Sequence, residues 1–261
     1  MIEINKIYNE NCLKTMQKMP NNFIDLTVTS PPYDNLRVYK DNIGLEWNFD
    51  KFKPIAKELY RVTKKGGVIV WVVGDATNKG TETGTSFKQA LYFKECGFNL
   101  HDTMIWNKSN PFNFGSNNCY IQSFEYMFIL SKDKPKSLNF IRDRKVKSTK
   151  SFKAISKDKS NNRHYNGKVV TPNKFGKRYN LWVYSVESGK KQHPAVFPEQ
   201  LANDHIISWS DVDDIVYDPF GGSGTTAKMS ILNNRRWIIS EISNEYCEII
   251  AKKIKGVYYE K

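Results

Sequence analysis

The chain has 261 residues, with 40 Lys and Arg against 27 Asp and Glu and a net charge of +13. That length suits one α/β domain of about 200 residues with a small appendage and an ample core, and leaves no room for a second full domain. No apolar run approaches the ~18 residues of a membrane span, and Met1-Ile2-Glu3-Ile4-Asn5 has neither a basic nor an apolar leader region, so a cytoplasmic protein is expected. The four cysteines, Cys12, Cys96, Cys119 and Cys247, are widely spaced without paired ligand spacing. This argues against disulfides and zinc, and makes each most simply a small core residue.

The excess charge is segregated. Residues 132–180 hold 16 Lys and Arg and three acids (Asp133, Asp143, Asp158), leaving 24 of each sign in the remainder. A neutral body with one strongly basic segment is the footprint of a polyanion-binding insert; a solvated, lysine-rich loop is the plainer alternative. The segment also carries Phe140, Phe152, His164, Tyr165, Phe175 and Tyr179, which can stack on bases. Asn161, Asn162, Asn166, Asn173 and Asn180 offer the donor and acceptor pair that reads an adenine edge.

In chain order, Ile24-Asp25-Leu26-Thr27-Val28 reads as a buried strand and runs into Thr29-Ser30-Pro31-Pro32-Tyr33. Two consecutive prolines remove two backbone donors and hold the segment extended, which leaves carbonyl oxygens facing the space beyond the strand end. With Tyr33 as a flat wall, such a slot suits a planar group bearing an exocyclic amine; a Pro-Pro turn that merely ends a strand is the alternative. Asp34-Asn35-Leu36-Arg37 follows at once and is a candidate for contacts near the slot. Glu46-Trp47 reads equally as a pocket lining or a surface turn.

A helix over 51–62 is expected to bury Phe52, Ile55, Ala56, Leu59 and Tyr60, and Lys65-Gly66-Gly67 then leads into a doubly buried strand over 68–73. Gly74-Asp75 ends that strand on the face where α/β sheets bind ligands. A second helix over 86–96 is closed by Gly97. Strands over 103–106 and 126–130 continue the sheet.

Beyond the basic segment, His193-Pro194-Ala195-Val196-Phe197-Pro198 precedes a helix over 198–207. There His193 reads evenly as a site residue or a packing residue, and His205 reads as packing. A strand over 214–218 then leads into Pro219-Phe220-Gly221-Gly222-Ser223-Gly224-Thr225-Thr226 and a helix over 227–232. Three glycines in four positions let the backbone turn tightly and approach a ligand, and the helix N-terminus offers unpaired N–H groups. The next strand ends in Glu241, 23 positions after Asp218, the usual place for an acid that holds ribose hydroxyls in a doubly wound sheet. A helix over 244–255 closes the chain. The alternation of strand and helix predicts an α/β fold with a doubly wound, mostly parallel sheet.

The Thr29–Tyr33 pentapeptide and the run Asp218-Pro219-Phe220-Gly221-Gly222-Ser223-Gly224-Thr225-Thr226 together resemble the S-adenosylmethionine-dependent DNA amino-methyltransferases. Asn11-Cys12-Leu13, Lys65-Gly66-Gly67 and 193–198 extend the resemblance over most of the chain outside 132–180. The catalytic tetrad precedes the cofactor loop, which is similar to the permuted order of the β subgroup. The resemblance implies catalytic roles for Ser30, Pro31, Pro32 and Tyr33. It also implies S-adenosyl-L-methionine contacts from Asn11, Cys12, His193, Phe197, Asp218, Pro219, Phe220, Gly221, Gly222, Ser223, Gly224, Thr225 and Glu241, and no metal. Asn11 stands where the family has Asp, so any contact there lacks the family's charge.

It further implies a catalytic and cofactor domain of 1–131 and 181–261 carrying a small target-recognition insert of 132–180. Double-stranded DNA is then the substrate, a cognate restriction endonuclease an optional partner, and a cytoplasmic monomer or homodimer of bacterial or phage origin the expected form. Ser at position 30 is associated by resemblance with cytosine N4, Asp or Asn there with adenine N6; cytosine is favoured and adenine left open. The absence of a Pro-Cys dipeptide argues against a carbon-5 cytosine enzyme with a cysteine nucleophile. Methylation of RNA or of a protein glutamine, a non-catalytic DNA-binding protein and a nicotinamide-dependent oxidoreductase are the remaining alternatives.

Overall fold

The computed structural model describes residues 2–32, 47–111, 119–186 and 197–259. In chain order the elements are β1 (Lys6–Tyr8), α1 (Cys12–Gln17), β2 (Ile24–Thr29), α2 (Phe49–Val62), β3 (Thr63–Val73), β4 (Thr77–Asn78), β5 (Thr81–Glu82), α3 (Thr85–Glu95), β6 (Asn99–Lys108) and β7 (Phe124–Ser131). They continue as β8 (Arg144–Lys145), β9 (Phe152–Lys157), β10 (Arg163–Val170), β11 (Phe175–Gly176), β12 (Leu181–Tyr184), α4 (Glu199–Trp209), β13 (Ile215–Asp218), α5 (Thr225–Leu232), β14 (Arg236–Ser240) and α6 (Asn244–Tyr259). The chain divides into two compact units, one of Met1–Asn139 with Asn180–Lys261 and one of Phe140–Tyr179.

The larger unit is built on an eight-stranded sheet in the order β1-β14-β13-β2-β3-β7-β6-β12. All neighbours are parallel except β7, which runs antiparallel to both β3 and β6. This is the doubly wound, mostly parallel α/β sheet expected from the alternation of elements.

Alternate strand residues serve opposite faces. Ile69, Trp71, Tyr217 and Ile238 join a core with Met16 of α1, Phe52, Ile55 and Leu59 of α2 and Phe93 of α3. Trp237 and Ile239 pack instead with Ala227 and Ile231 of α5 and Ile250 and Ile254 of α6. All six β2 residues are buried, as a central parallel strand with helices on both faces requires. Each large aliphatic side chain so enclosed contributes about 1.5–3 kcal/mol.

The helix expected over 51–62 begins two residues earlier because Asn48 caps it, its side chain accepting from the Lys51 N–H at 3.0 Å. Its apolar stripe is the expected one except that Tyr60 is half-buried, its ring packed edge-on to Phe98. β3 starts five residues earlier than expected, because Thr63 already pairs with Ile24 and a register shift carries the strand through Gly66-Gly67. Among the described residues no helix is long and apolar enough to cross a membrane. Of the cysteines expected in the core, only Cys12 is buried; Cys96 and Cys247 are half-buried and Cys119 is exposed.

The smaller unit begins eight residues later than the basic segment read from charge. The Lys132 and Lys136 N–H groups bond the Gly67 and Gly66 carbonyls at 3.0 and 2.8 Å. Lys132 Nζ reaches the Tyr60 and Thr63 carbonyls, and Lys136 Nζ pairs with Asp214 at 2.9 Å. These cations are partnered within the larger unit.

From Phe140 to Tyr179 the chain makes two small antiparallel pairs, β8 with β11 and β9 with β10. The β9–β10 ribbon turns on Asp158, whose Oδ1 accepts the Ser160 and Asn162 N–H groups, with Asn161 at φ +67°. Every β10 residue is exposed, and so are Phe152 and Ile155 of β9. Aromatic rings here lie under cations instead of in a core: Lys177 over Phe140 at 3.7 Å and Arg144 over Tyr179 at 4.7 Å.

Candidate functional site

β2 and β13 are neighbours at the centre of the sheet, with Leu26 opposite Val216 and Thr27 opposite Tyr217. Their carboxyl ends, Thr29 and Asp218, therefore emerge side by side although 189 positions apart in the chain. From β2 the sheet extends through β3 in one direction, and from β13 it extends through β14 and β1 in the other. This is a topological switch point, where open α/β sheets leave a crevice for ligands.

The two strand ends are bonded to one another. Thr29 Oγ1 donates to Asp218 Oδ1 at 2.6 Å, and the Phe220 N–H donates to the same oxygen at 3.0 Å. Thr226 Oγ1, in the first turn of α5, donates to the Val28 carbonyl at 3.3 Å. Burial pushes the Asp218 carboxyl above the usual range, and hydrogen bonds from Thr29, Phe220 and Thr226 oppose that shift. Beyond Thr29, Ser30 and Pro32 are half-buried and Pro31 is buried. Tyr33, and with it 34–37 and Glu46, lies outside the described residues.

The glycine loop runs from Asp218 into α5, and its glycines have different jobs. A Cβ on Gly221 would lie 2.2 Å from Ile239 Cγ2, and one on Gly224, at φ +77°, would lie 2.9 Å from Ile250 Cγ2. Both are therefore needed for close packing on β14 and α6. Gly222, at φ +50°, aims its N–H at Glu241 Oε2, 2.8 Å away.

The other Glu241 oxygen accepts the Ser243 N–H at 2.9 Å. The main chain at Glu241 is pinned to β1, its N–H on the Tyr8 carbonyl and its C=O on Asn9 Nδ2, both at 3.0 Å. Burial raises the Glu241 carboxyl as well, against the pull of the Ser243 and Gly222 N–H groups. Pro219 and Ser223 are buried, Thr225 opens α5, and half-buried Phe220 meets Trp47 edge-on at 5.3 Å.

The two strand ends are thus bonded into one unit, with the acid after β14 closing back on the glycine loop. The DNA methylase family profile, which covers N6 and N4 methylases, matches residues 24–253. The chain belongs to this DNA methylase family. The methylase is 54% identical over 246 residues to the orphan methyltransferase M.BamHII of Bacillus amyloliquefaciens, a match spanning 89% of each chain. In fold it is similar to the cytosine-N4-specific PvuII DNA methyltransferase (TM-score 0.70, 23% identity, 100% of this chain and 93% of that one). It is similar also to the M1.HpyAVI complex with SAM (TM-score 0.63, 23% identity, 95% and 98%).

The remaining sequence-derived residues of the methylase divide clearly. Asn11 caps α1, its Oδ1 accepting the Leu13 N–H at 2.9 Å. Cys12 packs into the core with Met16 of α1 and residues of α2, where burial pushes its thiol up to about 12. Phe197 is half-buried just before α4, and His193 lies outside the described residues. His205 is core: it stacks on Trp182 at 4.5 Å, and burial lowers its pKa to about 3. Trp47 joins the Phe52–Phe220 aromatic cluster and is no surface turn. Asp75 accepts the Ser86 N–H at 2.9 Å and the Ser86 hydroxyl, which caps α3 in place of the side chain that Gly84 lacks.

Sequence reasoning missed the bonding roles of Thr29, Thr226 and Asn9. A hydroxyl at the last position of an otherwise buried strand is the one signal that pointed to Thr29.

Proposed function

We propose that this DNA methyltransferase moves the methyl group of S-adenosyl-L-methionine onto the exocyclic amine of a base flipped out of duplex DNA, cytosine N4 in preference to adenine N6, with the motif order of the β subgroup. The observation that carries the proposal is the Thr29–Asp218 bond, which holds Ser30-Pro31-Pro32 beside the glycine loop.

The residues around the loop fit the cofactor. The Glu241 carboxylate takes main-chain N–H groups of Gly222, Ser243 and Ile242, and a carboxylate has about four acceptor sites, so room remains for a ribose hydroxyl. Phe220 and Trp47 supply an aromatic wall for a purine. The first turn of α5 holds no acid, and its N–H groups suit the carboxylate of the methionine end. When bound, S-adenosyl-L-methionine supplies a methyl on positively charged sulfur, so neither a covalent enzyme intermediate nor metal activation is called for.

The protein's part is positioning. The amine lone pair of a nucleobase is delocalised into its ring, and the Ser30 hydroxyl and Pro31 carbonyl favour the reactive geometry by accepting the two amine hydrogens. Tyr33 stacks on the ring. Flipping exposes the amine at a cost of a few kcal/mol, which protein contacts offset. Ser30 at the head of the tetrad supports cytosine as the target.

The Phe140–Tyr179 unit is assigned DNA recognition. It has 13 Lys and Arg against two acids, and its β9–β10 ribbon has the dimensions a major groove admits. Within the ribbon, Asn162 is committed to Asp158 and Asn166 to Ser156. Asn161 and Asn173 therefore become the better base readers of the asparagines there. The test is incubation of duplex DNA with labelled S-adenosyl-L-methionine followed by nucleoside mass spectrometry. Labelled N4-methylcytosine is expected, N6-methyladenine alone overturns the choice of base, and no transfer to DNA overturns the function.

A further inference from the structure

Thr29 opens the Thr29–Tyr33 pentapeptide but stands outside the Ser30–Tyr33 tetrad to which catalytic roles were given. It is 1% exposed, the last residue of β2, and the residue before Ser30. Its hydroxyl bond ends on Asp218, itself 5% exposed, the last residue of β13 and the residue before the glycine loop. The bond therefore joins the two chain segments at the points where each leaves the sheet. Two of the next three residues after Thr29 are prolines, which have no N–H to anchor the segment, so a side-chain tie acts where the main chain cannot.

The tie is short, charge-assisted and removed from water, conditions under which a hydrogen bond transmits position well. The oxygen that receives it also holds the Phe220 N–H, so a shift of the loop at Phe220 is felt at Thr29 through a single atom. Thr226 adds a second connection, from the first turn of α5 to the Val28 carbonyl.

We propose that Thr29 is a positioning residue that couples the two ligand sites: occupancy of the glycine loop fixes Asp218, and through the Thr29 hydroxyl sets the Ser30–Pro32 slot for the base, so that cofactor and DNA bind cooperatively. This deepens the methyltransferase reading and rests on it. By linkage the coupling is reciprocal, and DNA raises cofactor affinity by the same factor.

The test uses binding alone. Duplex DNA affinity is measured with and without saturating S-adenosylhomocysteine for the unaltered protein, Thr29→Val and Thr29→Ser. S-adenosylhomocysteine is expected to tighten DNA binding about fivefold or more in the unaltered protein and in Thr29→Ser, which keeps the hydroxyl. In Thr29→Val, which keeps the shape and loses the donor, the factor falls below about twofold while affinity for S-adenosylhomocysteine alone stays within about threefold. Single-turnover methylation by Thr29→Val is expected to slow about tenfold or more.

Equal coupling in Thr29→Val and the unaltered protein, or none in the unaltered protein when both ligands bind, overturns the inference. Failure of the unaltered protein to bind either ligand overturns the functional reading instead. If Thr29→Val does not fold, Thr29→Ala, which also loses the donor and adds no bulk, takes its place: loss of coupling there supports the proposal, and full coupling overturns it.

Discussion

The two units of this methylase treat charge and apolar surface in opposite ways. In the larger unit several cations are paired with acids: Lys64 with Asp25, Lys108 with Glu125, Arg61 with Glu58, Lys228 with Glu199 and Lys136 with Asp214. It also has a fully enclosed core, with Trp71, Tyr217, Phe52 and Phe93 among its largest side chains. In the Phe140–Tyr179 unit, 13 cations face two acids, and Phe152, Ile155, Tyr165 and Val169 are exposed. The larger unit is built to hold atoms in register. The smaller has a surface that only an anionic partner could balance, which is why chemistry is assigned to one and DNA affinity to the other.

Substitutions in the larger unit should change catalysis or cofactor binding and leave the salt dependence of DNA binding alone. The largest effect is expected from Tyr33→Ala, with turnover down on the order of 100-fold or more and S-adenosyl-L-methionine affinity within about threefold, read by steady-state kinetics and calorimetry. Gly221→Val comes next, because the added side chain meets Ile239 and Ile250; a loss of about 3 kcal/mol is expected in denaturant unfolding. Glu241→Ala should weaken cofactor binding about 10- to 100-fold by calorimetry, an effect of about 1.4–2.7 kcal/mol.

The smallest effect concerns His205, whose pKa is about 3 in the folded state against 6.5 for an ordinary histidine. The unfolded chain takes up this proton below pH 6.5 and the folded chain does not. Stability is therefore flat above that pH and falls by up to about 1.4 kcal/mol per unit as the pH drops towards 3. His205→Phe should remove this contribution, seen as a shallower loss of stability between urea unfolding at pH 7 and at pH 5.

The larger unit was legible wherever a local pattern determines structure. The β-branched run at 24–28, the apolar stripe of α2 and the order of strand, glycine loop, helix and Glu241 all placed elements within a few residues. Contacts between distant positions were not legible. That Gly221 and Gly224 are also required by packing was hidden, because nothing local shows Ile239 and Ile250 lying against them. The capping of α3 by Asp75 was hidden for the same reason, since Ser86 lies 11 positions further along the chain. The smaller unit was legible by charge alone, and charge counting cannot tell a free lysine from a paired one, so Lys132 and Lys136 were drawn into the wrong neighbourhood. Its short strands mix apolar and polar residues on both faces, as Phe152 and Ile155 do on β9, and so carry no period to read.

The division of labour is tested most directly by one variant carrying Lys150→Glu, Lys153→Glu, Lys157→Glu and Lys159→Glu, titrated with duplex DNA at several salt concentrations and with S-adenosyl-L-methionine at one. All four lysines are exposed. DNA affinity is expected to fall on the order of 100-fold, and the slope of log affinity against log salt to shrink by about three to four, with cofactor affinity within about twofold of the unaltered protein. Unchanged DNA affinity and salt slope, or a parallel loss of cofactor binding, would contradict the assignment.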